Sequence, residues 1–559
     1  MNVESSFASR HALRKIMALV LAVMMVLGVA TAFADSYTVT INPDSSDKAT
    51  HEYEAYQIFA GDLSEDGTKL SNISWGSGID QTKLDALATA INTQRDTTVE
   101  GYVALTASSS ATDFANAMGE LATSAGDSAK EQALADAIKA ALNTTTAGTN
   151  GATAVSGLTA GYYFIQDSKN PTGTNGAITR YILQVVKSVT VTEKASVPTV
   201  EKKVKDKDDT AGTTTDWQDS ADHDIGDSID YQITATLPSK FADFDKYTVY
   251  TITDTMSEGL TPPEADDVTI TILPSISTAA SDIFQVAVSG QTMTISLKSD
   301  VDLKTIEGIT NGTKFVVTYS AVLNDKAKLG KEGNPNEVEL QYSNNPNWDG
   351  KGTPDTGKTP KDTVIVFTYK PVVNKVKSDE TPLEGAEFTL YKEVSAEYTA
   401  NAGETVKTGA AIKSELATSN SSINAAALKD DAKYVVKAMT KVSGSQTSFE
   451  FKGIDDGTYV LVETKIPDGY NAFVAETVVV TAKHDEESDA PQLNELKADK
   501  VITTVDKDGG TLTGKVVNNS GAVLPSTGGI GTTIFYVGGG LLALIAVVLL
   551  VTKRRMSAQ

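Results

Sequence analysis

In the segment Ser228-Ile-Asp-Tyr-Gln-Ile-Thr-Ala235, apolar and polar side chains alternate with a period of two residues. Successive side chains of a β-strand point to opposite faces of the sheet, so this pattern predicts a strand with one buried face. Segments 247–253 and 314–319 show the same alternation. The surrounding block, 195–369, is therefore predicted to be almost wholly β. Its short β-branched runs, separated by turn residues, favour a β-sandwich.

The preceding block, 35–194, combines strands with helices. Two Ala/Leu-rich segments, 82–91 and 128–142, space their apolar residues as a helix does, so we expect helices there. Strand-like segments flank them at 37–41, 53–59, 161–165 and 181–186. The first domain is thus expected to be a β-sandwich with helical insertions.

The third block, 370–523, is predicted to be β at both ends. Between them, 393–447 is polar and rich in Ala and Ser. Such a composition predicts an insertion made of loop or short helix.

Two internal repeats connect the blocks. Residues 157–167 and 453–463 match in residue type at most positions, and both contain a Gly-x-x-x-Gly-x-Tyr pattern before an acidic residue. Residues 203–206 likewise match 375–378, each on the first predicted strand of its block. Together the repeats predict a mainly β chain built from tandem, related sandwich domains.

Composition excludes several classes of function. The chain has 559 residues, no cysteine and a formal net charge of -24. Disulfides and cysteine-based chemistry are therefore excluded, and an acidic surface of this kind repels nucleic acid. The four histidines are scattered, and no phosphate-binding loop or dinucleotide motif occurs. We predict a protein that is not an enzyme and needs no cofactor or metal, although a calcium ion at the predicted hairpin turn 506–510 stays open.

The N-terminus predicts export. Basic residues precede an apolar segment, 16–30, and Ala32-Phe-Ala34 has the small-x-small pattern of a signal-peptidase site. Residues 1–34 are therefore predicted to be a signal peptide.

The C-terminus predicts anchoring. Leu524-Pro525-Ser526-Thr527-Gly528 precedes an uncharged apolar run, 533–551, and the basic cluster Lys553-Arg-Arg555. The run is long enough to cross a bilayer core of about 30 Å as a helix, and the basic cluster would stay on the cytoplasmic side. Segment 524–559 resembles the LPxTG sorting signal of Gram-positive surface proteins. This resemblance implies that a sortase cleaves between Thr527 and Gly528.

The third block carries a lysine on its first predicted strand, Lys375, an asparagine on its last, Asn518, and a glutamate between them, Glu463. It resembles the CnaB-type, Ig-like domain of Gram-positive surface proteins, and the segment around Glu463 resembles the E-box of pilins. The resemblance implies an isopeptide bond between Lys375 and Asn518, assisted by Glu463 as the acid. Lys377 and Asn519 are alternative partners, and a buried Lys–Glu ion pair is the alternative arrangement.

Burial of the three side chains would make the implied reaction chemically possible. A lysine must be neutral to attack an amide, and burial between two sheets lowers its pKa. A carboxylic acid in the same apolar site can donate a proton to the asparagine amide, which is a poor electrophile, and help ammonia leave. Contact between the groups adds the advantage of an intramolecular reaction.

The second block offers a parallel set, Lys203, Asp254 and Asn336. The block resembles the fimbrial D2 domain of major pilins, in which Asp can replace the Glu. The resemblance assigns the three residues as nucleophile, acid and electrophile. The neighbouring alternatives are Lys202, Asn344 and Asn345.

The first block has an acid at the matching place, Asp167, but no lysine in its opening strand, 37–42. We therefore predict no isopeptide bond there. Beyond this block, Lys194 follows a Val-x-Val strand. Its position resembles the pilin motif, although Thr-Glu-Lys-Ala stands where YPKN is usual. The resemblance implies that Lys194 attacks the sortase-bound Thr527 of the next subunit, with Lys187 and Lys202 as alternatives.

The chain as a whole resembles a major, or backbone, pilin of a sortase-assembled Gram-positive fimbria. The resemblance implies a secreted protein, held transiently in the membrane and then anchored to the cell wall. Implied partners are pilus-specific and housekeeping sortases, other copies of the chain and peptidoglycan, with ancillary pilins and host surface ligands as further candidates. The alternative is a wall-anchored adhesin or ancillary pilin that uses the same domains as a stalk.

Overall fold

The computed structural model describes residues 36–42, 44–123, 128–143, 149–169, 175–192, 196–348, 350–520 and 530–556. The predicted signal peptide, the pentapeptide at 524–528 and Lys194 lie outside these residues. The described strands form three groups along the chain, and none of their sheets joins strands of two groups.

The first group combines two sheets with three helices. Its strands are β1 (Tyr37–Asn42), β2 (Tyr53–Leu63), β3 (Leu70–Trp75), β4 (Thr149–Gly151), β5 (Ala154–Leu158), β6 (Gly161–Asp167), β7 (Arg180–Val185) and β8 (Val189–Thr192). Its helices are α1 (Leu84–Gln94), α2 (Ala111–Thr123) and α3 (Ser128–Ala140), with a 3-10 turn at Gln81–Lys83. One sheet has the order β5-β1-β8; in the other, β3-β2-β6-β7 run side by side and β4 also pairs with β2. The two sheets share one apolar core, and the helices cover the opposite face of β2 and β6.

The second group is a sandwich of two sheets. Its strands are β9 (Thr199–Val204), β10 (Lys207–Asp208), β11 (Thr213–Thr214), β12 (Ser220–Asp222), β13 (Ser228–Thr236), β14 (Tyr250–Met256), β15 (Leu260–Thr261), β16 (Thr269–Leu273), β17 (Phe284–Ser289), β18 (Thr292–Leu297), β19 (Lys314–Leu323), β20 (Asn334–Ser343), β21 (Thr356–Lys358) and β22 (Asp362–Phe367). Its short helical turns are α4 (Ala280–Ile283) and the 3-10 segments Phe241–Asp243, Ala265–Asp267, Leu303–Thr305 and Gly330–Glu332. One sheet of the sandwich runs β12-β22-β20-β14-β18-β17, with β21 on β20; the other runs β15-β19-β13-β9, with β16 on β19. Strands β10 and β11 form a separate two-stranded sheet. The alternation in 228–235 buries Ile229, Tyr231 and Ile233 between these sheets, as the period of two requires.

The third group is a second sandwich. Its strands are β23 (Lys370–Lys377), β24 (Glu387–Val394), β25 (Val406–Thr408), β26 (Lys433–Ala438), β27 (Thr440–Lys441), β28 (Ser448–Glu450), β29 (Gly457–Lys465), β30 (Glu476–His484), β31 (Leu493–Ala498), β32 (Ile502–Asp506) and β33 (Thr511–Asn518), and its helix is α5 (Gly409–Ser419). One sheet has the order β27-β28-β23-β33-β32, and the other β25-β26-β24-β29-β30-β31. The first and last strands, β23 and β33, are parallel neighbours. The predicted turn at 506–510 joins β32 to β33 as a hairpin.

The C-terminal helix, α6 (Ile530–Met556), stands apart from the sandwiches. Its segment Phe535–Arg554 is long and apolar enough to cross a membrane, and its described side chains are exposed. Each apolar core cluster of the described chain lies between residues 39 and 516. Residues 36–520 therefore contain complete cores without the anchor.

The structure corrects three sequence-based expectations. Helix α2 was not predicted, although Phe114, Met118 and Leu121 on it have helical spacing and are buried. Strand β14 begins three residues later than predicted, because the Tyr247 amide donates to the Asp302 carboxylate (2.8 Å) instead of joining the ladder. The Ala/Ser-rich insertion contains strands as well as a helix, since β26 pairs with β24 across its full length.

Backbone contacts join the second and third groups closely. The Ser395 amide donates to the Asp209 carbonyl oxygen at 2.8 Å. Gly330 and Gly510 meet so closely that a Cβ on Gly330 would lie 2.2 Å from the Gly510 amide nitrogen, and both have positive φ angles, 65° and 63°. Only glycine fits two such positions.

A buried charge cluster reinforces this interface. Lys392 of β24 is fully buried, and its Nζ lies 2.7 Å from Asp209, 3.1 Å from Asp224 and 2.7 Å from Asp455. Asp209 and Asp224 belong to the second group, whereas Asp455 belongs to the third. Burial alone would lower the pKa of Lys392, but the surrounding carboxylates outweigh it and hold that pKa well above its ordinary value. Lys392 is therefore a charged link between two domains.

We expect Lys392→Met to destabilise the interface by about 3–5 kcal/mol, because it removes the buried cation that Asp209, Asp224 and Asp455 share. Asp224 keeps its contact with Lys437 at 2.7 Å and Asp209 its contact with Lys207 at 3.1 Å. Urea unfolding of residues 36–520, followed by tryptophan fluorescence, measures this loss. Lys429→Met is the matched control, since its pair with Glu393 is largely exposed and should contribute no more than about 1 kcal/mol. Equal stabilities of the two variants would contradict the linking role.

Candidate functional site

The third group holds a buried lysine, glutamate and asparagine in one place. Lys375 of β23 and Asn518 of β33 lie on adjacent parallel strands, with Lys375 opposite Val516 in the ladder. Glu463 reaches them from β29 of the facing sheet. All three residues are no more than 2% exposed. The alternative partners are less buried: Lys377 is half-buried and Asn519 is exposed.

The acid of this site contacts the asparagine directly. Asn518 Nδ2 donates to both carboxylate oxygens of Glu463, each at 2.9 Å, and the Phe473 amide donates to Oε2 at 2.9 Å. Lys375 Nζ lies 3.8 Å from Glu463 Oε1 and donates to the Val516 carbonyl oxygen at 3.2 Å. Asn518 Oδ1 is buried and has no hydrogen bond to any residue that the structure describes. The carboxylate thus stands between the amine and the amide.

Burial also changes the protonation of this lysine. Desolvation lowers the pKa of Lys375 to about 8, although the nearby Glu463 charge acts in the opposite direction. A substantial fraction of this amine is therefore neutral near physiological pH, which is the form that acts as a nucleophile.

In the second group, the structure places Lys202, and not the predicted Lys203, in the buried site. Strand β9 points Lys202 inward between the sheets and Lys203 outward, where its Nζ lies 2.8 Å from Asp219 and 2.9 Å from Glu487. The prediction was wrong by one position in strand phase. A signal was available in the sequence, because Lys202 lies two residues from the apolar Val204 and so on the same face of the strand. Val204 is also fully buried.

Four side chains meet at this second site. Lys202 Nζ lies 2.7 Å from Asp254 Oδ2 and donates to the Tyr319 hydroxyl at 2.7 Å. That hydroxyl donates to Asp254 Oδ2 at 2.5 Å and accepts from Asn336 Nδ2 at 2.9 Å. Burial lowers the pKa of Lys202 against the opposing charge of Asp254. Sequence reasoning missed Tyr319, which it treated only as part of an alternating strand.

The second site is built across the two sheets of its group. Lys202 lies on β9 of one sheet and Asn336 on β20 of the other, so the pair is not formed by neighbouring first and last strands. The alternative asparagines lie elsewhere: Asn344 Nδ2 donates to the Gly176 carbonyl oxygen at 3.2 Å, and Asn345 Nδ2 donates to Asp355 at 2.9 Å.

Asp167 of the first group has a different partner. Its Oδ2 lies 2.7 Å from His51 Nδ1, and His51 Nε2 lies 3.2 Å from Asp47 Oδ1. Of the alternatives to Lys194, Lys187 is exposed. Lys202 is fully buried, so it cannot meet the acylated active site of a second protein.

Three family models match successive parts of the chain. The prealbumin-like fold domain SpaA matches residues 370–495, and the LPXTG cell wall anchor motif matches 516–557. The model for the Gram-positive pilin backbone subunit 2, Cna-B-like domain, matches residues 225–346. The chain belongs to the Gram-positive backbone pilins. These matches favour the backbone interpretation over the adhesin alternative, and the anchor motif identifies a cell-wall-anchored surface pilin.

Known proteins similar to this pilin include the trypsin-resistant surface T6 protein of Streptococcus pyogenes serotype M6. It is 27% identical over 398 residues, which cover 65% of this pilin and 70% of the relative. Among solved structures, the T6 backbone pilin of S. pyogenes is 18% identical with a TM-score of 0.48, covering 88% of this pilin and 100% of that chain. The major pilin SpaD of Corynebacterium diphtheriae is 16% identical with a TM-score of 0.44, covering 88% and 99%.

Proposed function

We propose that this backbone pilin crosslinks itself twice, between Lys375 and Asn518 and between Lys202 and Asn336, and that a sortase joins Lys194 of one subunit to Thr527 of another. The observation that carries the proposal is the pair of buried sites in which an amine, a carboxyl group and an asparagine amide lie together. The pilin is then a sortase substrate and a structural element. Each bond forms once, so the pilin is not an enzyme that acts through repeated cycles.

In the third group, the reaction needs only the residues present. The neutral Nζ of Lys375 attacks Cγ of Asn518, and the bond from Cγ to Nδ2 breaks. Glu463 takes a proton from the attacking amine and passes one to Nδ2, which leaves as ammonia. The contacts of 3.8 Å to the amine and 2.9 Å to the amide nitrogen support this double role. Enclosure between the sheets supplies proximity.

The intact mass of residues 36–520 under denaturing conditions tests the third-group bond. We expect the wild-type chain to lack two ammonia masses and Glu463→Ala to lack only one, because the proton carrier is gone. Glu387→Ala is the matched control, since that exposed glutamate pairs with Lys465 outside the site. A wild-type mass equal to that of the plain sequence would overturn both crosslinks.

Two adjacent lysines test the second-group bond. Lys202→Met should lack only one ammonia mass, because the buried nucleophile is removed. Lys203→Met should still lack two, since its amine is bound to surface carboxylates. Peptide mapping after proteolysis locates the remaining bond. The reverse result would mean that the strand phase seen in the structure is not the one in which the bond forms.

Assembly into a fibre is supported by the order of the signals along the chain. The anchor motif follows the third group, and Lys194 lies between the first and second groups. Joining Thr527 of one subunit to Lys194 of the next repeats one heterologous contact, which builds an open filament and not a closed ring. The partners are pilus-specific sortases, other copies of the pilin and, at the base, a housekeeping sortase and peptidoglycan. Ancillary pilins and host surface ligands complete the proposed set.

Lys194→Ala should abolish the ladder of high-molecular-weight polymers in cell-wall extracts when the full chain is expressed with its pilus sortase. The reason is that the amine which resolves the acyl-enzyme is lost. Lys187→Ala is the matched control and should leave the ladder unchanged. A persistent ladder in the Lys194 variant would assign polymerisation to another lysine.

A further inference from the structure

The two crosslinking sites differ in how far their acid reaches. In the third group, Glu463 contacts the leaving nitrogen of Asn518 directly at 2.9 Å. In the second group, the acid is one methylene shorter, and no hydrogen bond joins Asp254 to Asn336 within the described residues. The Tyr319 hydroxyl bridges Asp254 and Asn336: it lies 2.5 Å from Asp254 Oδ2 and 2.9 Å from Asn336 Nδ2.

We propose that Tyr319 is a catalytic residue of the second group, whose hydroxyl carries protons between Lys202, Asp254 and the leaving nitrogen of Asn336. The proposal rests on the Lys202–Asn336 bond proposed above. In this proposal, Asp254 and Tyr319 together transfer the protons that Glu463 alone transfers in the third group.

The hydroxyl is held firmly in its position. Tyr319 is 4% exposed, and its ring stacks on Tyr231 with centroids 5.4 Å apart and planes 14° from parallel. All three of its hydrogen-bond partners are fully buried. Burial and the charge of Asp254 raise the pKa of Tyr319 well above its ordinary value, so the phenol keeps its proton and remains a donor.

The proton path follows the observed contacts. As the neutral amine of Lys202 attacks Cγ of Asn336, one proton moves from Nζ to the Tyr319 oxygen while the phenol proton moves to the Asp254 carboxylate at Oδ2. When the bond from Cγ to Nδ2 breaks, Asp254 returns its proton to the Tyr319 oxygen, and the phenol proton goes to Nδ2. The products are the Lys202–Asn336 amide and ammonia. Tyr319 and Asp254 end in their starting protonation states, so no other reactant is needed.

Tyr319→Phe in residues 36–520 tests the role, because it removes the hydroxyl and keeps the ring that stacks on Tyr231. We expect the wild type to lack two ammonia masses at purification. The variant should lack only the third-group ammonia and should form its second bond roughly 10²–10⁴-fold more slowly, the usual contribution of general acid–base catalysis. Intact mass followed over days gives the rate. Tyr250→Phe is the matched control: the Tyr250 hydroxyl is also buried in the second group but has no hydrogen bond in the described part of the chain.

A second variant separates chemistry from folding. Combining Asp254→Glu with Tyr319→Phe lengthens the acid so that it reaches Asn336 directly, as Glu463 reaches Asn518, and should restore the second ammonia loss. Restoration supports the proposal and shows that the domain folds without the hydroxyl. A Tyr319→Phe chain that crosslinks as fast as wild type overturns it, as does an uncrosslinked double variant with a native near-UV spectrum. A wild-type chain without the second-group ammonia loss instead overturns the proposed bond itself.

Discussion

Enclosing a lysine ammonium between apolar sheets removes its hydration, and the fold must compensate for that loss. Lys202, Lys375 and Lys392 are fully buried in the described part of this pilin. Lys392 touches three carboxylates and its pKa rises, so it stays charged and joins two domains. Lys375 has one carboxylate at 3.8 Å and Lys202 one at 2.7 Å, and the pKa of each falls. Contact with three carboxylates therefore separates the charged Lys392 from Lys202 and Lys375, the two proposed nucleophiles.

Because the chain has no cysteine, these buried lysines would take on the stabilising role that disulfides have in other exported proteins. An exported chain without disulfides must obtain its rigidity elsewhere, and this pilin has the means in two forms. One is the charge cluster between the second and third groups, supported by the close contact of Gly330 with Gly510. The other is the proposed pair of crosslinks, each an amide bond that needs no oxidant because ammonia is the only product that leaves.

Local sequence patterns predict much of this architecture. Alternating segments such as 228–235 and 314–319 became strands because burial of one face fixes their period. Strand phase is less well determined by the sequence, which predicts Lys203 for the site where Lys202 is the buried residue. Contacts between distant segments could not be predicted from the sequence. Tyr319 contacts Asp254 across two sheets, and Lys392 contacts Asp209 across two domains. Such pairings depend on sheet packing, which no local pattern records.

Strands β23 and β33 run side by side in the same direction, with Lys370 opposite Thr511 and Lys377 opposite Asn518. In the proposed fibre, tension would enter the third group through β23 and leave it through β33. It would therefore drive the two strands past each other along their axes. Before the proposed Lys375–Asn518 bond forms, every hydrogen bond of the ladder would bear this shear load together, whereas a ladder pulled from one end would unzip bond by bond. The segment between the two strands, including α5, lies off the line of force.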